Sequence, residues 1–237
     1  MLTITNTLNN FTTKLTKFTS DPDNRNLVTV ASVAAVSSLA YMAWSNRRVS
    51  IDPKKCVIVI TGCDSGFGLA TAETLSAQGY PVIATCMTEA GIAHLKPIVA
   101  DVIYCDVTSE ENVLSLSSAV NSYLNNHEGS KLWTLVNNAG IAPGGVTDWL
   151  EMSTFRVVMD VNYFAPLRLI KEFLPLLKRA RGSRVINLSS IAGITAGLLL
   201  GPYSGSKHAL EGVGKALREE LAPWNIHVCH INPGVMK

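Results

Sequence analysis

Short apolar runs alternate with longer stretches of helical spacing from Ile51 to the end of the chain. CVIVIT at 56–61, PVIATC at 81–86, DVIYC at 101–105, LWTLV at 132–136, RVINL at 184–188 and IHVCHI at 226–231 read as six strands. Each is a near-continuous hydrophobic run. Between them, residues 66–78, 109–125, 153–180 and 203–221 carry apolar positions at helical intervals. Strands that are apolar on both faces and separated by helices imply a parallel sheet covered on each side, a doubly wound, Rossmann-type α/β fold. With no internal repeat and no linker inside it, 51–237 reads as one domain.

The first fifty residues follow a different pattern. Asn26 to Asn46 are 21 consecutive uncharged residues, which as a helix would span about 31 Å, close to a bilayer core. Tyr41 and Trp44 fall at one end and Arg47 and Arg48 follow at once, as at a membrane interface. Residues 1–25 then form an N-terminal segment, 26–46 a transmembrane anchor and 51–237 the folded domain. The alternatives are a buried helix and, because residues 1–20 are rich in Ser and Thr and contain no acid, a mitochondrial transit segment. The expected location is membrane-anchored, at the endoplasmic reticulum, with the mitochondrion as the alternative.

Composition narrows the function classes. Twenty Lys and Arg against 18 Asp and Glu leave a charge of +2, with 47% hydrophobic and 16% charged residues. Such a chain can bury a core, and it offers no basic field for nucleic acid. Its five cysteines form no CxxC pair, so a disulfide framework or zinc-thiolate site is not expected, and reduced core cysteines are. His227, Cys229 and His230 invite a metal reading, but two ligands on one sheet face do not make a zinc site, and buried strand residues explain them better.

The first strand runs into Thr61-Gly62-Cys63-Asp64-Ser65-Gly66-Phe67-Gly68, and a helical stretch follows. A glycine-rich turn at a helix N-terminus presents unpaired N–H groups and a positive dipole end, which suit a pyrophosphate. Downstream come Asn137-Asn138-Ala139-Gly140, Asn162, Ser190 and Tyr203-Ser-Gly-Ser-Lys207.

Together with CDV at 105–107 and Asn-Pro-Gly at 232–234, these motifs stand in an order that resembles the short-chain dehydrogenase/reductase family over residues 53–237. The glycine loop and LPLLKRARGSRVINLSS look most like its branch of retinol, hydroxysteroid and 3-hydroxybutyrate dehydrogenases. The resemblance implies an NAD(P)-dependent alcohol dehydrogenase or carbonyl reductase acting on a small apolar alcohol, ketone or aldehyde such as a retinoid or steroid. It leaves open a homo-oligomer.

The residues support that chemistry. Tyr203 and Lys207 are four apart on a helix and share a face. A phenol is a poor base at neutral pH, but a nearby ammonium favours its phenolate, which can accept an alcohol proton. Thirteen residues before Tyr203, Ser190 is selected by family spacing to orient the substrate oxygen, with Ser189 as the alternative. The resemblance further gives Lys207 a hold on the cofactor ribose and Asn162 a part in a water-linked proton path. It places Asp106 and Val107 beside the adenine, Asn138, Ala139 and Gly140 along the central cofactor, and Pro233 and Gly234 in the cofactor site. Asp106 also reads as a turn residue or helix N-cap.

At the end of the second strand an acid would hold the ribose of NAD, whereas Arg would favour the 2′-phosphate of NADP. That position is Cys86, and no Lys or Arg occurs from 69 to 95, so NAD(H) is modestly favoured over NADP(H). No metal is called for. Family members continue past the Pro-Gly with substrate-covering chain, so by resemblance 51–237 reads as C-terminally truncated. The alternative function is a catalytically incompetent dinucleotide-binding fragment.

Overall fold

The computed structural model describes Ser37 and residues 52–234. The sequence expectations for 1–25 and for an anchor at 26–46 lie outside the described residues, Ser37 excepted. Among the described residues no helix is long and apolar enough to cross a membrane.

Six strands appear where the apolar runs place them: β1 (Cys56–Ile60), β2 (Val82–Cys86), β3 (Asp101–Tyr104), β4 (Lys131–Asn137), β5 (Arg184–Leu188) and β6 (His227–Ile231). They form one sheet in the order β3-β2-β1-β4-β5-β6, every neighbouring pair parallel. Parallel neighbours need crossovers, supplied by α1 (Gly66–Ala77), α2 (Glu89–Leu95), α3 (Glu110–Asn126), α4 (Met152–Met159), α5 (Ala165–Lys178) and α6 (Gly201–Leu221). The strand order reverses between β1 and β4, which opens a crevice at their C-terminal ends.

The continuous helix expected over 153–180 is interrupted by a π-helical turn at Asp160–Phe164 that joins α4 to α5. Pro166 lies in the first turn of α5, and without an N–H it cannot close the ordinary i→i−4 bond to the Asn162 carbonyl. The short α2 escapes the sequence pattern because its seven residues are too few for a periodicity. Its local signal is Thr88, whose side chain accepts from the Gly91 N–H and caps the helix.

The strands' two faces separate the core. Val57, Val59, Ile83, Leu132, Leu135, Val185 and Val228 pack with Leu116 of α3 and Leu169 and Phe173 of α5. Ile58, Ile60, Val82, Ala84 and Cys86 pack with Ala72 of α1 and Leu95 of α2. β1 and β2 are buried at every position.

β5 and β6 are not. Among the described residues their α1-side face is uncovered, and Arg184, His227, Cys229 and Ile231 are exposed along it. This corrects the expectation of a sheet covered throughout, and that of His227 and Cys229 as buried strand residues. The opposite face is packed, since Val228 is buried and the His230 ring lies against Gly214 of α6, where a Cβ would collide with it. An apolar groove of about 320 Å³ lined by Trp133, Ile186, Leu188 and Ile231 runs along the uncovered face. The titratable chemistry lies elsewhere, in a larger cavity at the strand ends.

Candidate active site

The turn after β1 is shaped by its glycines. Gly62 has φ +67°, and a Cβ there would stand 2.8 Å from Ala139 Cα. Gly66 has φ +60° with nothing within 4 Å of its Cβ position, and at Gly68 a Cβ would strike the Gly62 carbonyl and the Asn138 amide. The loop therefore turns in a conformation that glycine favours, packs tightly against β4 and leaves space in front of α1. Ser65 and Phe67 are exposed beside that space. This is the cradle a pyrophosphate needs.

Thr61 and Asn138 lock the cradle to β4. The Thr61 hydroxyl accepts from the N–H groups of Asn138 and Ala139, both at 3.1 Å. In return the Asn138 amide donates to the carbonyls of Thr61 at 2.8 Å and Gly62 at 2.9 Å. Thr61 is buried and braces the loop from behind.

On the other side of the crevice, α6 presents Tyr203 and Lys207 one turn apart. The Lys207 Nζ lies 5.7 Å from the centre of the Tyr203 ring and donates to the Leu188 carbonyl at 2.6 Å. Burial pulls the Lys207 ammonium down from its ordinary 10.5 to about 8. Ser190 ends the turn after β5, and its Oγ accepts from the Ala192 N–H at 3.1 Å, which leaves its own proton to donate. The Pro233 carbonyl accepts from the Ile191 N–H at 3.0 Å and so holds the 233–234 turn beside Ser190.

Asn162, inside the π-helical turn, is fully buried. Its Oδ1 accepts from the Ile141 N–H at 2.9 Å, and its amide donates to the Ile141 carbonyl at 2.8 Å and the Ser206 hydroxyl at 3.0 Å. Both amide hydrogens are thereby used. The side chain ties the loop after β4 to α6.

At the β2–β3 end the arrangement differs from the sequence expectation. Cys86 is completely buried and faces α2, and burial first, with the Asp64 charge second, pushes its thiol up to about 11. Met87, exposed, stands at the cavity instead. The carboxylate here comes from the glycine loop: Asp64 accepts from the N–H groups of Met87 and Thr88 and from the Thr88 hydroxyl. Asp106 accepts from the Thr108 N–H at 2.9 Å and the Thr108 hydroxyl at 2.7 Å. It is the turn residue, while Ser109 takes the N-cap of α3.

One cavity of about 770 Å³ gathers Gly62, Asp64, Ser65, Phe67, Asp106, Val107, Asn138, Ala139, Gly140, Ser190, Tyr203, Lys207, Pro233 and Gly234. Of the residues read from the sequence, Thr61, Gly66, Gly68, Cys86 and Asn162 are not among its lining. The sequence reading missed Met87, Thr88 and Ser206. Thr88 had a cap-like signal; Met87 and Ser206 had none, since their parts depend on partners distant in the chain. Cys63, whose thiol burial raises to about 12, and Cys105, raised to about 11, are inert walls.

A family model described as short chain dehydrogenase matches residues 56–237. Dehydrogenase/reductase SDR family member 9 of Homo sapiens is 41% identical over 186 residues, covering 76% of this chain and 56% of that protein. Retinol dehydrogenase 16 of Mus musculus is 38% identical over 181 residues, covering 75% and 56%. A crystal structure of a short-chain dehydrogenase from Streptomyces avermitilis superposes with a TM-score of 0.71 at 31% identity, over 77% of this chain and 66% of that one. The chain spans about half the length of the curated relatives it matches.

Proposed function

The chain belongs to the short-chain dehydrogenase family, and from that premise we propose that its protein is an NAD(P)-dependent oxidoreductase interconverting an alcohol and a carbonyl. The observation that carries this reading is the placement of Tyr203, Lys207 and Ser190 in one cavity with the glycine loop. When bound, a nicotinamide dinucleotide supplies the hydride acceptor or donor. Gly62, Ser65 and Phe67 would hold its pyrophosphate, Asp106 and Val107 its adenine, and Asn138, Ala139 and Gly140 its middle.

The chain's own groups handle the proton. Ser190 donates to the substrate oxygen and fixes it. Tyr203 takes the alcohol proton, or returns it to the carbonyl in reduction. Lys207, with its Nζ 5.7 Å from the centre of the ring, would hold the cofactor ribose beside Tyr203. Asn162 holds the catalytic helix in register with the loop after β4. As the family resemblance implies, Asn162 would also support a water-linked path that passes the proton on from Lys207.

The substrate we assign is an apolar alcohol or carbonyl of the retinoid or steroid kind. Ile191, Ile194, Leu198 and Leu199, in the loop that follows Ser190, are all exposed large hydrophobics, and a relative is named as a retinol dehydrogenase. The uncharged run at 26–46 is assigned as a membrane anchor, at the endoplasmic reticulum or alternatively the mitochondrion, which would bring the domain to a lipid-dissolved substrate. NAD(H) is the cofactor favoured.

The test is Tyr203→Phe in the full chain, with a panel of retinoid and steroid alcohols. Turnover is expected to fall by ~100-fold to ~10,000-fold, with NADH binding measured by fluorescence nearly unchanged. Near-normal turnover in the variant would remove Tyr203 from the mechanism.

A further inference from the structure

We propose that Asp64 sets the dinucleotide preference of this site, by occupying the hydrogen-bond donors at the end of β2 and holding a fixed negative charge where a ribose 2′-phosphate would lie. The inference rests on the dinucleotide reading above and adds to it the residue that discriminates NAD(H) from NADP(H).

In open parallel sheets the ribose is met at the end of the second strand, where the residue that ends the strand commonly supplies the acid. Here that position is Cys86, buried, with a thiol too weakly acidic to carry charge. The charge arrives from another part of the chain. Asp64, on the glycine loop, reaches across so that its Oδ2 accepts from Met87 N at 3.0 Å, while its Oδ1 accepts from Thr88 N at 2.9 Å and Thr88 Oγ1 at 2.6 Å. The fold makes room for it. At Gly91 in α2 a Cβ would stand 2.8 Å from Asp64 Oδ1, so a side chain there would push the carboxylate out of place.

The same donors would serve an incoming phosphate, and all three are taken. Burial pushes the Asp64 carboxyl up, but the hydrogen bonds from Thr88 and Met87 outweigh it and hold the group below its ordinary range, so it stays anionic at neutral pH. Asp106 adds a second carboxylate at the β2–β3 end, and among the described residues lining the cavity the sole Lys or Arg is Lys207, on α6. A 2′-phosphate would therefore meet repulsion and no counter-charge. A 2′-hydroxyl meets an acceptor, because Oδ2, which accepts from the Met87 N–H, has lone-pair room for a further donor.

The experiment titrates NADH and NADPH against the full chain and the variants Asp64→Asn and Asp64→Ser, with fluorescence as the readout so that turnover is not needed. The wild-type chain is expected to bind NADH more tightly than NADPH by about tenfold or more. Both variants should reduce that ratio by about tenfold or more, with NADPH bound more tightly as the charge is removed and NADH bound less tightly as the acceptor for its 2′-hydroxyl is weakened. Salt separates charge from shape: the wild-type ratio should fall as ionic strength rises and screens the repulsion, and that of Asp64→Ser, with Asp106 alone left, should fall less. Thr88→Val removes the hydroxyl's hydrogen bond to Asp64 and its cap on α2 but keeps the charge, and should leave the wild-type preference in place. Binding of NADH with a ratio that both Asp64 variants leave unchanged overturns the inference alone, as does equal loss of both dinucleotides on substitution. A wild-type chain that binds neither dinucleotide overturns the dinucleotide reading itself, and the inference with it.

Discussion

The Asn162 amide donates to the Ser206 hydroxyl at 3.0 Å, and Ser206 donates in turn to the Tyr203 carbonyl at 2.7 Å. Two helices far apart in the chain are joined one residue before Lys207 and three after Tyr203. With the Ile141 backbone on its other side, Asn162 is a three-way tie between the loop after β4, the π-helical turn and α6.

Asn162→Ala would strand the Ile141 N–H and carbonyl and remove a donor from Ser206. Each buried polar group left without a partner costs about 1–3 kcal/mol. Thermal unfolding of the variant should fall by roughly 4–10 °C. Ser206→Ala, which removes one hydroxyl and strands less, should fall by less than half as much.

Glycines in this chain fall into two kinds. Gly68→Ala would drive a methyl into the Gly62 carbonyl and the Asn138 amide, so it should abolish NADH binding and lower stability. Gly212, in α6, has open space at its Cβ position. Gly212→Ala should raise stability by up to about 1 kcal/mol through helix propensity, with binding unchanged. Paired denaturation and fluorescence titrations distinguish the two.

Lys207 makes stability depend on pH in a defined direction. Its folded value of about 8 lies below the ordinary 10.5, so the unfolded chain binds the proton more tightly and the buried ammonium costs stability at every pH below about 8. The cost is relieved as pH rises from about 8 to 10.5. Lys207→Met lacks this dependence. Its melting temperature minus that of the wild type should be largest near neutral pH and shrink steadily toward about pH 10.

Deleting residues 1–50 should move the chain to the soluble fraction, because the uncharged run at 26–46 is removed with them. Carbonate extraction of membranes from cells expressing the full and shortened chains reads this directly. Carbonate-resistant association of the shortened chain would remove the anchor assignment.

Sequence by itself determined the sheet, its parallel sense and the chemical inventory of the cavity. Runs such as CVIVI and VIATC are almost wholly apolar and buried at every position because both faces of β1 and β2 are covered, and covered strands need helical crossovers. The glycine loop and the Tyr203–Lys207 pair were legible because their spacing lies within a single turn or helix, whereas Asn138 and Ser190 were legible only through the order of the family's motifs. Tertiary structure decided what depends on partners far apart in the chain. Periodicity could not show that Cys86 turns into the core and that Asp64 reaches β2 in its place across the sheet. Nor could it show that the missing N–H of Pro166 accompanies a π-helical turn that carries Asn162 against Ser206. The uncovered face of β5 and β6 lay beyond it too, since an apolar run reports that a strand can be buried, while the elements packed on each face decide whether it is.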